Sequence, residues 1–329
     1  MIICRTPFRI SFFGGGTDYP EWYREHGGGV ISTTINKYSY ITARWLPPFF
    51  DYKHRIRYFR KEETQTIDEI QHPSVRECAR HLKVVDGLEV VHNADLPARS
   101  GLGSSSTFTV GMLHTLHTLQ NYMPTKRELA LQAIHVEQER IGEAVGSQDQ
   151  VAAAFGGLNR IGFNKVQEFE VQPIIISEEN LAKLQDNLLL VFTGFARTAA
   201  EVAKTQIAVT SKRVKELFTM KDLCDQAMDY LLNSKESLDD FGRLLDEQWQ
   251  LKRSMTDRIT TSAIDDIYNT GRRNGAIGGK LLGAGGGGFM LFYAKRENHN
   301  AIKDALGQKM FVPFRFESTG SQIIYLSRE

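Results

Sequence analysis

Cysteine is scarce in this chain. Three stand in 329 residues, Cys4, Cys78 and Cys224, odd in number and far apart. Such a set builds neither a disulfide framework nor metal-ligand spacing, and a reducing compartment is the expected setting. Long apolar runs are missing too. No stretch approaches the ~20 residues that span a bilayer. The opening MIICRTPFRISFF carries arginines inside a short apolar stretch and has no small-residue cleavage site, so no signal peptide is expected. Formal net charge is only +1, which gives no global field for nucleic acid or an anionic membrane. The expectation is a cytoplasmic protein with neither nucleic acid nor membrane as partner.

What remains is ordinary globular composition, 41% hydrophobic and 24% charged. At 329 residues the chain exceeds the size at which one core stops growing, so two domains are expected. The boundary falls near 165–187, dividing 1–175 from 176–329. Strand composition marks YSYITARWL (38–46), HRIRYF (54–59), LEVVHNADL (88–96) and LLLVFTG (188–194). A helix follows Phe108, with Met112, Leu116 and Leu119 on one face, which leaves His114 and His117 on the surface. Thr125 and Glu128 are spaced as a capping box, and Ser147 and Gln150 repeat the spacing before a helix that Gly156 and Gly157 stop. A mostly helical, charged region runs from about 197 to 275. A helix near 297–308 and strands FVPFRF and QIIYL close the chain. Strands and helices alternate in an α+β pattern.

PARSGLGSSSTF (97–108) stands just before the first helix. Two readings compete. It is a capped turn, or it holds an anion: a helix N-terminus presents free N–H groups and partial positive charge, and glycines let a phosphate come close. Two familiar phosphate loops are excluded. No lysine lies within 97–108, and Lys280 in GGKLL lacks a following Ser or Thr, with Asn274 where the first glycine belongs. GAGGGG (283–288) spells the dinucleotide fingerprint, but a strand pattern follows it instead of a helix.

Two carboxylates stand out. Glu137 shares a helical face with Ala130, Ala133, Ile134 and Ile141, where a charge is costly unless an arginine or a metal ion meets it. Asp149 lies in the first turn of the helix after Ser147, serving either the helix dipole or proton transfer. PFRISFFGGGTDYPEW (7–22) is a strand bearing Arg9 that ends in three glycines. Asp18 there suits sugar hydroxyls or an Asx turn. In TGFARTAAEVAK (193–204), Arg197 is a phosphate grip or a solvent-facing helix start. Arg44, Lys37, His26 and Arg99 are further cationic candidates, and Trp45 and Trp249 are expected to pack.

These pieces, in this order, resemble the GHMP kinases: PFRISFFGGGTDY the first motif, PARSGLGSSST the second and KLLGAGGGGFML the third, spanning residues 7 to 291. The resemblance implies a two-domain fold, the first domain like ribosomal S5 domain 2 and the second ferredoxin-like. It implies ATP and Mg²⁺. Gly101, Leu102, Gly103, Ser104, Ser105 and Ser106, with Gly285 and Gly286 of the third motif, would hold ATP. Ser105 and Glu137 would hold Mg²⁺, with the serine's place uncertain by one within the run. Asp149 would take the proton of the attacking hydroxyl and Arg9 would orient it. Gly15, Gly16, Thr17, Asp18 and Arg197 would meet the substrate. Gly14-Gly15-Gly16 replaces the Gly-Glu-His of galactokinase-like members, so galactose is not expected. The all-glycine form is similar to the branch that phosphorylates D-glycero-D-manno-heptose 7-phosphate at its anomeric hydroxyl for GDP-heptose synthesis. A fucose-type 1-kinase and a non-catalytic sugar sensor are the other readings. The partner implied is a small sugar phosphate, with a homodimer as the one macromolecular association considered.

If Asp149 is the base, Asp149→Asn abolishes turnover, by about 10²-fold or more, and leaves ATP binding largely intact. Titration of a fluorescent ATP analogue beside an ADP-release assay checks this.

Overall fold

The computed structural model describes residues 1–194, 199–233 and 237–327. Strand β1 (Ile2–Phe13) pairs antiparallel with the 18-residue β2 (Gly28–Trp45), and the short helix α1 (Pro20–His26) lies between them in sequence. β3 (His54–Arg57) and β4 (Lys61–Thr64) form a hairpin, followed by α2 (Pro73–His81). β5 (Leu88–Ala94) then inserts between β2 and β3, antiparallel to the first and parallel to the second. Helices α3 (Ser104–Leu119), α4 (Lys126–His135) and α5 (Gln148–Phe155) come next, and β6 (Leu158–Asn164) and β7 (Glu168–Pro173) extend the sheet from β2.

After α6 (Glu178–Asp186) a second, antiparallel sheet begins with β8 (Leu188–Gly194). Helices α7 (Ala199–Val209), α8 (Val214–Leu232), α9 (Leu238–Ser254) and α10 (Ser262–Arg273) separate it from its companions. These are β9 (Ala276–Leu281) and β10 (Gly288–Ala294), and β10 sits in the middle. After α11 (His299–Leu306) the chain returns to the first sheet, where β11 (Phe316–Glu317) pairs with β2 and β12 (Gln322–Leu326) with β1. The architecture is α+β, as expected. No helix among the described residues is long and apolar enough to cross a membrane.

Three local expectations fail for tertiary reasons. The α3 stripe suggested a one-sided helix, yet every residue from Ser106 to His117 is buried, because α3 packs on β1 and β2 as well as on α2, α4 and α5. His114 and His117 are therefore interior. His114 Nδ1 pairs with Ser321 Oγ at 2.9 Å, and burial pushes the imidazole down to about 4. Ser147 and Gln150 form no capping box: Ser147 makes no side-chain cap, and Gln150 donates instead to Glu137. FVPFRF is not a continuous strand. Phe311 bridges Val191 and Val312 N donates to Leu190 O at 2.9 Å, but Pro313 offers no N–H to continue a ladder. The Thr125–Glu128 capping box is present, and Trp249 is fully buried packing.

Gly156 ends α5 at φ +70°, and a Cβ there would stand 2.0 Å from the Thr319 carbonyl carbon of the returning tail. Gly156→Ala is expected to cost about 2–4 kcal/mol through backbone strain and overpacking. The urea midpoint should fall with an unchanged slope. A midpoint like that of the parent would remove the close approach.

Candidate active site

The loop before α3 has a handed backbone. Arg99, Gly101 and Gly103 all have positive φ, and Gly103 is the N-cap of α3. With no side chain to cap it, the first turn leaves its N–H groups facing outward. Leu102 is fully buried among the core residues beneath, and its carbonyl accepts Arg9 N at 3.1 Å, so only its backbone serves the loop. Ser104 Oγ accepts Arg99 N at 3.1 Å.

Arg9, near the middle of β1 and 4% exposed, reaches under this loop. Its Nε donates to Asp149 Oδ1 at 2.8 Å, its Nη2 to Asp149 Oδ2 at 2.7 Å and its Nη1 to Gly101 O at 2.7 Å. A planar guanidinium fits such a bidentate pair. A Cβ on Gly103 would sit 3.4 Å from Asp149 Oδ2 and 3.2 Å from Arg9 Cγ. The end of the loop, the arginine and the carboxylate thus meet at one point, although they lie up to 140 residues apart in sequence.

Asp18 is as deeply buried as Arg9. Its Oδ1 accepts Gly16 N at 2.9 Å and its Oδ2 accepts Gln148 N at 3.4 Å, while Ser147 N donates to its carbonyl. It ties the glycine turn to the start of α5. Burial, reinforced by the charge of Asp149, raises its pKa. Thr17 Oγ1 is spent on Gly14 O and Gly29 O.

Glu137 lies in a π-helical turn, Val136–Ile141, that continues α4. Such turns re-aim side chains and often mark functional positions. The carboxylate is fully buried. It accepts from Ser106 Oγ at 2.7 Å, Thr109 Oγ1 at 2.8 Å and Gln150 Nε2, and no cation pairs with it among the described residues. Burial, with Glu143 nearby, raises it to about 7. A buried carboxylate with no cation partner, beside a hydroxyl at a helix N-terminus, fits a divalent cation, which would favour its ionised form. The serine facing it is Ser106 and not Ser105. Counting from the Gly103 cap, the third helical residue turns inward, while Ser105 is exposed and reaches Glu143 Oε2 at 3.4 Å.

The third glycine run meets the first loop backbone to backbone. A Cβ on Gly283 would stand 2.5 Å from Gly101 Cα, and one on Gly288 2.4 Å from Ser100 O. Gly285 and Gly286 lie one step away. Gly286 N donates to Ile259 O at 3.0 Å, and a Cβ on Gly285 would meet Ile259 Cα at 2.9 Å. Arg197 lies outside the described residues. Of the other cations, Arg44 is held by Glu89 and the His26 ring packs at a tilt against Trp22.

The sequence reading missed two buried lysines. Lys252 Nζ donates to Gly283 O, and Lys280 Nζ donates to Phe12 O at 2.7 Å. Desolvation and the charge of Arg9 pull Lys252 down to about 8, against the charges of Asp18 and Asp149. A signal existed. On α9 the buried face runs Phe241, Leu244, Leu245, Gln248, Trp249, Lys252, so a glutamine and a lysine occupy slots of an apolar stripe.

Phosphoryl transfer asks the protein chiefly for positioning and charge, and the surroundings of Gly103 suit that demand. Comparison with known proteins supplies the class. Residues 72–157 match the GHMP kinases N terminal domain and residues 227–312 the GHMP kinases C terminal domain, together just over half of the chain. The chain belongs to the GHMP kinase family. It is 28% identical to a D-glycero-alpha-D-manno-heptose 7-phosphate kinase of Campylobacter jejuni, over 96% of each chain. It is 24% identical to a galactokinase of Pyrococcus furiosus, again over 96% of each. A B. thetaiotaomicron crystal structure described as a D-glycero-D-manno-heptose 1-phosphate kinase superposes over the whole of both chains with TM-score 0.82 at 22% identity, a likeness of fold.

Lys252 generates a pH prediction. Arg9, Lys280, Asp18 and Asp149 are the charged groups acting on it. Its folded pKa lies below the ordinary lysine value, so its contribution to stability grows as pH rises from about 8 toward 10.5. Turnover should run the other way, since the site loses a positive charge over the same range. In kcat/KM for ATP, which reports the free enzyme, we expect a decline above about pH 8, and Lys252→Met to have a lower kcat/KM without that decline. A pH profile of the two proteins decides it, and an unchanged alkaline limb in the variant would rule Lys252 out.

Proposed function

We propose that this kinase transfers the γ-phosphoryl group of ATP to the anomeric hydroxyl of D-glycero-D-manno-heptose 7-phosphate, giving the 1,7-bisphosphate that GDP-heptose synthesis consumes. The observation that carries the transfer is the Arg9–Asp149 pair set against Gly103 at the start of α3. The helix N-terminus receives the phosphates. Asp149 is the proton acceptor for the sugar hydroxyl, and its 24% exposed side chain, unlike that of Arg9, can be reached. Arg9, itself buried, holds Asp149 in a fixed orientation through the bidentate pair and is tied to the loop by its bond to Gly101 O. Ser106 and Glu137 would hold Mg²⁺, which supplies charge neutralisation on the phosphates.

The choice of sugar rests on two supports. One is the full-length likeness to the Campylobacter heptose 7-phosphate kinase. The other is the glycine turn at 14–16, which brings no side chain to the acceptor. In this reading Arg197 meets the C7 phosphate, and a cytoplasmic setting follows from the need for ATP.

The test is ADP release with ATP and Mg²⁺ over D-glycero-D-manno-heptose 7-phosphate, sedoheptulose 7-phosphate, L-fucose, mannose and galactose. Turnover confined to the manno-heptose phosphate is expected. Turnover on fucose would keep the mechanism and replace the substrate. Silence across the panel would overturn the enzyme reading in favour of a sugar sensor.

A further inference from the structure

The three glycines of the turn are not equivalent. Gly14 needs its φ of +77°, and a Cβ there would stand 1.8 Å from Gly29 O. Gly16 needs its φ of +109°. Gly15 needs neither. Its backbone is not in the left-handed region, and a Cβ would meet nothing closer than Gln148 Nε2 at 3.7 Å and Ser11 Oγ at 3.9 Å. Neither backbone conformation nor packing therefore explains a glycine at 15. What its missing side chain leaves is room.

Both residues bordering that room carry an unpartnered polar atom, although the Gln148 atom nearest Gly15 is Nε2. Ser11 Oγ and Gln148 Oε1 are buried without a hydrogen-bond partner, in residues only 6% and 9% exposed. Ser32 stands opposite Ser11 in the β1–β2 register, and its hydroxyl is likewise buried and unpartnered. Directly opposed residues of an antiparallel pair share a face. Folded proteins rarely leave such groups unsatisfied, and a cluster of them calls for an absent partner. That partner must both donate and accept, as a sugar hydroxyl does. Asp18 joins this turn to the start of α5 by accepting Gly16 N and Gln148 N, and the charge of Asp149 acts on it, so the hydroxyl concerned lies near the one Asp149 would deprotonate.

We propose that the space beside Gly15, walled by Ser11, Ser32 and the Gln148 amide, is a specificity subsite that binds the acceptor's C2 hydroxyl, the neighbour of the anomeric position. This rests on the proposed sugar 1-kinase activity. A site built to hydrogen-bond a hydroxyl rejects an analogue lacking it far more strongly than an apolar pocket rejects a missing methylene.

The experiment measures kcat/KM on D-glycero-D-manno-heptose 7-phosphate and on its 2-deoxy analogue, for the parent protein, Ser11→Ala, Gln148→Leu and Gly15→Ala. The parent is expected to prefer the 2-hydroxy sugar by about 10²-fold or more. Ser11→Ala and Gln148→Leu should erode that preference, mainly by raising KM for the 2-hydroxy sugar. Gly15→Ala should melt where the parent does and still lose kcat/KM on the 2-hydroxy sugar, because the methyl takes the space and strains nothing. The proposal is overturned if both polar variants keep the parent's preference, or if Gly15→Ala keeps the parent's kcat/KM. If the heptose phosphate is not turned over but another sugar is, only the substrate assignment falls, and the same comparison on that sugar and its 2-deoxy form decides the subsite. If no sugar is turned over, subsite and function fall together.

Discussion

The structure depends on the three hydrogen bonds of the Arg9 guanidinium. One guanidinium fastens β1 to the carboxylate of α5 and to the carbonyl of Gly101 in the loop before α3. Three segments distant in sequence are held in register by one planar group. As a source of stability such a buried pair is close to neutral, because desolvating two charges offsets their attraction, whereas removing one partner leaves an uncompensated charge at about 3–5 kcal/mol. What the contact supplies is geometry: a carboxylate fixed in direction, at the spot where the helix N-terminus presents its free N–H groups.

The second half of the chain meets this contact through glycine backbone. Gly283 rests on Gly101 and Gly288 on Ser100, at separations no side chain would permit. The positive charge there is buried, in Lys252 donating to Gly283 O and Lys280 donating to Phe12 O. Both lysines titrate below their ordinary value, Lys252 by desolvation and then Arg9, Lys280 by desolvation and then Lys252. Cations are crowded beside the loop before any phosphate arrives. That arrangement is costly by itself, and in the proposed function a polyphosphate would offset it.

Glu137 presents the opposite imbalance. Three neutral donors surround it, no cation meets it among the described residues, and burial raises its pKa to about 7. The fold therefore keeps two half-satisfied sites close together, one lacking an anion and one lacking a cation. In the proposed function, a metal-bound nucleotide would satisfy both at once.

Much of this was legible locally. The strand LLLVFTG forms β8 over the residues read, the Thr125–Glu128 box caps α4, Gly156 ends α5, and the three glycine-bearing motifs all lie at the site. Turn chemistry, capping and residue alternation act over a few residues, so a sequence states them directly. Tertiary structure decided the rest. Which serine faces Glu137 depends on how α3 is rolled by its packing. His114 and His117 are interior because helices cover the side that periodicity left open. Ser147 and Gln150 have capping spacing, yet Gln150 is drawn to a carboxylate thirteen residues away. The tail returns through β11 and β12 to pair with the first strands of the chain. Each of these outcomes is set by contacts between segments far apart in sequence, and no local pattern encodes such a contact.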